Sequence, residues 1–197
     1  MAVMETDRLL KLLKTVENVK GDFAEIGVFR GHTFKRLSIF AKRQGKVAHG
    51  FDSFEGMDDP TDHDCGFYEK GRLACSFDDF LKGMNEANID PDAYELFQGF
   101  IPHCFDGIKP AQRYSYALVD VDQYKPTATS LKWIWQRLNL RGLLVVDDYF
   151  KNRKRLATKA IDEWLKTLHP LDFRFIELSD SMLVIRKQHI PDNLEDK

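Results

Sequence analysis

Leu9, Leu10, Leu12, Leu13 and Val16 recur at helical spacing among Lys and Glu, and Gly21 follows as a stop. The chain is therefore expected to open with a helix within residues 1–20, beginning near Thr6. Asp22 to Val28 reads as a short buried strand that runs through Gly27 and Gly31 into a helix of about His32 to Gln44, with Phe34, Leu37, Phe40 and Ala41 on one face. A second strand, Lys46 to Asp52, ends on an acidic residue and enters a long loop, Ser53 to Gly71. Ser76 is placed to cap a helix over Phe77 to Asn88, with Asp78 and Asp79 in its first turn, and Ile89-Asp90-Pro91 ends it. Strands follow at Tyr94 to Gln98 and Ser115 to Val121, joined by the segment Ile101 to Ile108. A helix is expected over Thr127 to Leu138, closed by Arg141 and Gly142. The dense apolar run Leu143 to Val146 has the character of a central parallel strand buried on both faces. Arg155 to Thr167 supplies the last helix, and Phe173 to Leu178 with Ser181 to Lys187 can pair as an antiparallel hairpin before a loose tail at 188–197.

Alternation of strand and helix implies an α/β fold with a mostly parallel sheet, helices on both faces and right-handed crossovers. The 197 residues suit one domain, 1–197. Ligands in such sheets bind at the carboxyl ends of strands, near the point where strand order reverses. The acidic residues of interest all fall at such ends.

Charge changes the picture little. With 29 basic and 31 acidic side chains there is no global field to draw nucleic acid or a membrane surface, so a small molecule is the expected partner. The sequence is compatible with a homo-oligomer. Cys65, Cys75 and Cys104 are too far apart for a metal knuckle, and their odd number argues against a disulfide framework. The charged first twenty residues lack the apolar run of a signal peptide or membrane span, and a cytoplasmic location is expected.

Three patterns carry chemistry. Glu25-Ile26-Gly27-Val28-Phe29-Arg30-Gly31 is an E-x-G-x-x-x-G turn that lets backbone approach a ligand and aims helix amides at an anionic group. The same turn joins strand to helix in other α/β proteins, so it identifies no ligand alone. Asp52 ends the next strand, where a carboxylate can accept from both hydroxyls of a ribose; a loop cap is the plainer role. Asp120 and Asp122 follow one strand, Asp147 and Asp148 another. Converging in a dry cleft, they would repel strongly unless a cation lay between them, and oxygen-only ligation favours Mg²⁺ or a similar hard ion. Separate solvated loop aspartates are the alternative.

The runs EIGVFRGHT, FDSFEGM, LVDVDQYKPT and LLVVDDYF resemble the macrocin O-methyltransferase family over residues 21–165. The resemblance implies a Rossmann-like class I methyltransferase with a seven-stranded sheet. It also implies S-adenosylmethionine as cofactor, Mg²⁺, and the hydroxyl of a sugar or polyol as acceptor. Carried over by motif, Glu25, Gly27, Gly31, Asp52, Ser53 and Asp120 line the cofactor site, with Gln98 and Gly99 near the adenine. Asp120, Asp147 and Asp148 hold the metal, and Asp122 is the general base, with Lys125 and His103 as other candidates. Two departures stand out. Barely twenty residues precede the first strand, where sugar-methylating members carry a longer helical region, and FQGFIPHCF replaces the family's G-W-F-x-D-T loop. Elsewhere, Asp62-His63-Asp64 reads as a solvated acidic loop, with lining of the acceptor pocket or an added metal ligand as the alternative, Lys151 to Arg155 as a solvated basic face that could also meet an anionic acceptor, and Trp133, Trp135 and Trp164 as core.

Parts of the pattern are shared by other classes. A metal-dependent phosphohydrolase also uses D-x-D followed by Thr, but its motif normally lies nearer the N-terminus. A glycosyltransferase holds a nucleotide sugar through D-x-D and a metal, which leaves the glycine turn and Asp52 unexplained. A module that binds the cofactor without turnover is the non-enzymatic alternative.

Overall fold

The computed structural model describes residues 6–64, 66, 68–150, 156–178 and 181–188. The segment Lys151 to Arg155, Cys65 and the tail beyond 188 lie outside these. Helices are α1 (Thr6–Lys14), α2 (His32–Arg43), α3 (Phe77–Glu86), α4 (Tyr124–Arg137) and α5 (Leu156–Leu165). Strands are β1 (Asp22–Ile26), β2 (Ala48–Asp52), β3 (Tyr94–Gln98), β4 (Tyr114–Val119), β5 (Leu138–Asp147), β6 (Phe173–Leu178) and β7 (Met182–Lys187). They form one seven-stranded sheet in the order β3-β2-β1-β4-β5-β7-β6, parallel except where β7 runs against β5 and β6. This is the Rossmann-like α/β sheet expected, with its terminal hairpin.

Alternate residues of each central strand feed two apolar layers. Phe23, Leu118, Leu143 and Val145 pack beneath α1, α2 and α3, through Leu9, Leu13, Phe34, Leu37 and Met84. Ala24, Ile26, Ala117, Val119, Leu144 and Val146 face α4 and α5, through Leu131, Ile134, Ile161 and Trp164. Burial on both faces explains why Tyr116 to Val119 of β4 and Leu143 to Val146 of β5 read as unbroken apolar runs. The three tryptophans are core as expected: Trp164 is buried, and Trp133 stacks on Phe105 with ring centres 4.1 Å apart. Among the described residues no helix is long and apolar enough to cross a membrane.

The Ser76 cap forms, its hydroxyl accepting the Asp79 N–H at 3.1 Å. Two expectations need correction. Arg141 and Gly142 do not close α4; the helix ends at Arg137 and β5 begins at once, with Arg141 at a φ of 69° inside the strand. Tyr114 pairs with Leu138 and Tyr116 with Leu143, so residues 139–142 bulge out of register, and the glycine signal belongs to that bulge. Asp64 is not solvated. It is fully buried in a 3-10 turn, Asp62–Asp64, in the loop between β2 and α3.

Candidate active site

Strand order reverses between β1 and β4, and a cleft opens there, above the carboxyl ends of the central strands. Its floor depends on Gly27, whose φ is 90° and whose N–H donates to the Phe51 carbonyl at 2.8 Å. A Cβ at this position would sit 1.9 Å from the carbonyl oxygen of Asp120. Only glycine lets the ends of β1 and β4 approach so closely. Gly31 serves differently: it starts α2 at a φ of 72° and gives room to the Phe80 ring, away from the cleft.

On the β2 side, Asp52 accepts the Phe29 N–H at Oδ2 (2.9 Å) and the Phe54 N–H at Oδ1 (2.8 Å). It thus stitches two loops whose phenylalanines both sit at positive φ, 47° and 59°. A carboxylate offers about four lone-pair sites, so each oxygen keeps capacity for one further donor. The loop-cap and diol-binding roles are compatible. Ser53 closes the adjoining turn through its hydroxyl to the Gly56 carbonyl at 2.8 Å, and lines the cleft. Glu25 is buried below, with Oε2 lacking a hydrogen-bond partner. Burial, with Asp120 and Asp52 nearby, holds its carboxyl well above the usual range.

On the β4 and β5 side, oxygens of Asp120, Asp122 and Asp148 come within 4.8 Å of one another. Asp122 and Asp148 sit at φ of 57° and 58°, an uncommon conformation for residues other than glycine. Burial, then Asp147, Asp122 and Asp148, push Asp120 well above a normal carboxylate, and its Oδ1 lacks a partner. Burial and a hydrogen bond with Asp148 raise Asp122 to about 7. Two carboxyl groups can share such a bond only with a proton between them. Asp147, buried at the end of β5, is raised to about 6, mainly by burial. It stands outside the three-carboxylate group, although its charge is felt at Asp120.

The remaining sequence candidates separate cleanly. Gly99 lines the cleft, whereas Gln98 is exposed and does not. Lys125 and His103 are exposed and line no part of it; His103 lies 3.7 Å from Asp106. In the altered loop after β3, Cys104 and Phe105 turn into the core while Phe100 and Ile101 face the cleft. Sequence reasoning missed Gln123. Its side chain accepts the Asp58 N–H at 3.1 Å and donates to the Asp58 carbonyl at 2.9 Å, tying the long loop over the carboxylates. It also missed Tyr68, whose hydroxyl donates to Asp122 Oδ1 at 3.4 Å. Neither signal lies in local spacing.

Residues 5–175 match the family described as macrocin-O-methyltransferase (TylF). The chain belongs to this family. Family membership sets aside the phosphohydrolase and nucleotide-sugar readings of D-x-D. A curated relative, the 8-demethyl-8-(2,3-dimethoxy-alpha-L-rhamnosyl)-tetracenomycin-C 4'-O-methyltransferase of Streptomyces olivaceus, is 26% identical over an alignment of 155 residues that covers 73% of this chain. The match spans 59% of that enzyme's length. Among solved structures, the O-methyltransferase NovP superposes with a TM-score of 0.76 at 20% identity, covering 92% of this chain and 80% of NovP. The calicheamicin methyltransferase CalS11 gives 0.71 at 18% identity, covering 93% and 80%. At these identities the structures share the fold.

Proposed function

We propose that this chain is an O-methyltransferase that moves a methyl group from S-adenosylmethionine to a hydroxyl of a sugar or polyol moiety, in one domain with a divalent metal. One observation carries the reading: Asp120 and Asp122, which with Asp148 form a group of mutually close carboxylates, line the same cleft as Asp52, whose oxygens keep room for a ribose diol, across the switch point of the sheet. The residues suit both ligands. An all-oxygen set with an unpartnered buried oxygen on Asp120 matches a hard cation such as Mg²⁺. Asp52, Ser53, Gly27 and Gly99 would hold the adenosyl group.

Asp120 and Asp148 would hold the metal, with Asp147 adding negative charge behind them. Bound there, a divalent cation lowers the pKa of an acceptor hydroxyl and orients it. Asp122, adjacent to both Asp120 and Asp148, would be the group placed to take that proton, its carboxylate kept ionised by the neighbouring cation. The acceptor oxygen forms its bond to the methyl carbon as the carbon–sulfur bond breaks, so no covalent enzyme intermediate is needed. Phe29, Met57, Leu73, Phe100 and Ile101 supply apolar walls that exclude water from the cleft.

The test is a double dissociation by calorimetry. Asp120→Asn should weaken Mn²⁺ binding by roughly 100-fold while sparing S-adenosylhomocysteine, and Asp52→Asn should do the reverse by about 10-fold. A wild-type protein that binds neither ligand would sink the proposal. Binding of both without methyl transfer to any sugar acceptor would favour the non-catalytic module.

A further inference from the structure

Asp64 belongs to the loop between β2 and α3, yet its carboxylate is fully buried against the start of α4. Oδ2 accepts the Thr61 N–H and the Thr61 hydroxyl, both at 2.7 Å, and Oδ1 accepts the Tyr124 N–H at 2.8 Å. The last contact spans sixty positions and places a carboxylate on the first residue of α4, where helix amides lack partners and the helix dipole favours negative charge. Gln123, which precedes α4, has no side-chain cap of its own, so Asp64 supplies one from another loop. The His63 ring adds a contact to the Tyr124 ring, with centres 4.2 Å apart.

Two residues before Tyr124 stands Asp122. The Gln123 N–H reaches back to the Val121 carbonyl at 2.5 Å, closing a tight turn about Asp122 at its φ of 57°. Such a conformation persists only where its surroundings over-determine it. Here the neighbouring peptide on the α4 side is held at Tyr124 by Asp64, and Gln123 is held by its two bonds to Asp58. Both anchors come from the same loop.

We propose that Asp64 is a positioning residue: by capping α4 from the long loop, it holds Asp122 in the strained conformer that faces Asp120 and Asp148. The inference rests on the reading of these carboxylates as a metal site. It gives the buried Asp64 a function that reaches beyond stability, because loss of the cap frees the turn and lets Asp122 leave the group.

The experiment compares wild type, Asp64→Asn and Asp64→Ala, each free of metal at the start. Asn keeps the volume and one acceptor, so it keeps the comparison open if Ala fails to fold. Mn²⁺ and S-adenosylhomocysteine are titrated separately, and deuterium uptake is followed over residues 121–126. Mn²⁺ affinity should fall about 10-fold in the Asn variant, because Asp122, although assigned above as the base and not as a ligand, supplies one of the three carboxylate charges grouped where the cation would sit. S-adenosylhomocysteine affinity should stay within roughly 2-fold, and exchange over 121–126 should quicken. Unchanged Mn²⁺ affinity in the folded Asn variant overturns the proposal, as does an equal loss of both affinities, which would mark general loosening. Should wild type bind no Mn²⁺, the metal reading fails separately, and unchanged exchange over 121–126 would then overturn the positioning role by itself.

Discussion

The two sides of the cleft are built on opposite principles. On the β2 side Asp52 is satisfied before any ligand arrives, each oxygen receiving a backbone N–H from a loop that it also organises. On the β4 and β5 side Asp120, Asp122 and Asp148 crowd one another, with Asp120 and Asp122 raised above the usual carboxylate range, and Asp122 and Asp148 occupy positive φ. The first arrangement stabilises the fold and lends its spare lone pairs to a ligand. The second opposes folding in its ionised form, because buried like charges cost more than their hydrogen bonds return. On the proposed reading, such a cleft is already satisfied where a neutral diol would be recognised and electrostatically unbalanced where a cation would be drawn in.

Gly27 links the sides, and its replacement should have the largest effect. In Gly27→Ala the new methyl group falls on the Asp120 carbonyl, in a backbone conformation that disfavours side chains. The ends of β1 and β4 must separate, so we expect a loss of roughly 3 kcal/mol or more, with binding of both S-adenosylhomocysteine and Mn²⁺ impaired. A thermal melt with paired titrations checks this. Loss of one ligand alone would show that the two sides are structurally independent.

Next in size is the pH dependence of the metal-free protein. Asp122 titrates near 7 in the fold and near 3.9 when unfolded, so between these values the native state holds more protons. Stability from the protonated carboxyl is therefore present at low pH and is lost as pH rises through 7. Asp147, at about 6, adds to the same slope at lower pH. His49, which burial holds below its ordinary value, has the opposite slope below about pH 6.5. The informative window is thus pH 6.5 to 8, where the melting temperature should fall by about 2–4 °C, equivalent to roughly 1 kcal/mol. Saturating Mg²⁺ should remove the fall. A melting temperature that climbs across this window without metal would contradict the account of the β4 and β5 side.

The sequence made one side of this comparison more legible than the other. Helical spacing and short apolar runs located the α-helices and strands of the described residues, though not the start of β5 or the 3-10 turns, and the acidic strand ends pointed to Asp52, Asp120, Asp122, Asp147 and Asp148, because chain order alone puts such ends in one place in a parallel sheet. Spacing could not say which carboxylates converge. That depends on the turn at Asp122, which places it beside Asp148 and leaves Asp147 outside the three-carboxylate group. The contacts of Asp64 and Gln123 were not legible for a related reason: Asp64 meets its partner sixty positions away, from a loop whose composition reads as solvated. Arg141 and Gly142 carry a stop signal that a β-bulge uses as readily as a helix end.

The smallest expected effect concerns the same loop at its other contact with the carboxylates. Asp64 and Gln123 hold the neck of α4 through bonds of 2.7 to 3.1 Å, whereas Tyr68 reaches Asp122 through one at 3.4 Å, near the limit of a hydrogen bond. That hydroxyl stabilises the ionised carboxylate and so opposes the upward shift of Asp122. Tyr68→Phe removes it and keeps the ring, and the midpoint for Mn²⁺ binding against pH should move up by a few tenths of a unit, with affinity at pH 8 changed less than about 3-fold. A loss of 10-fold or more at pH 8 would place Tyr68 among the groups that build the site, and the long loop would then act on the carboxylates directly as well as through α4.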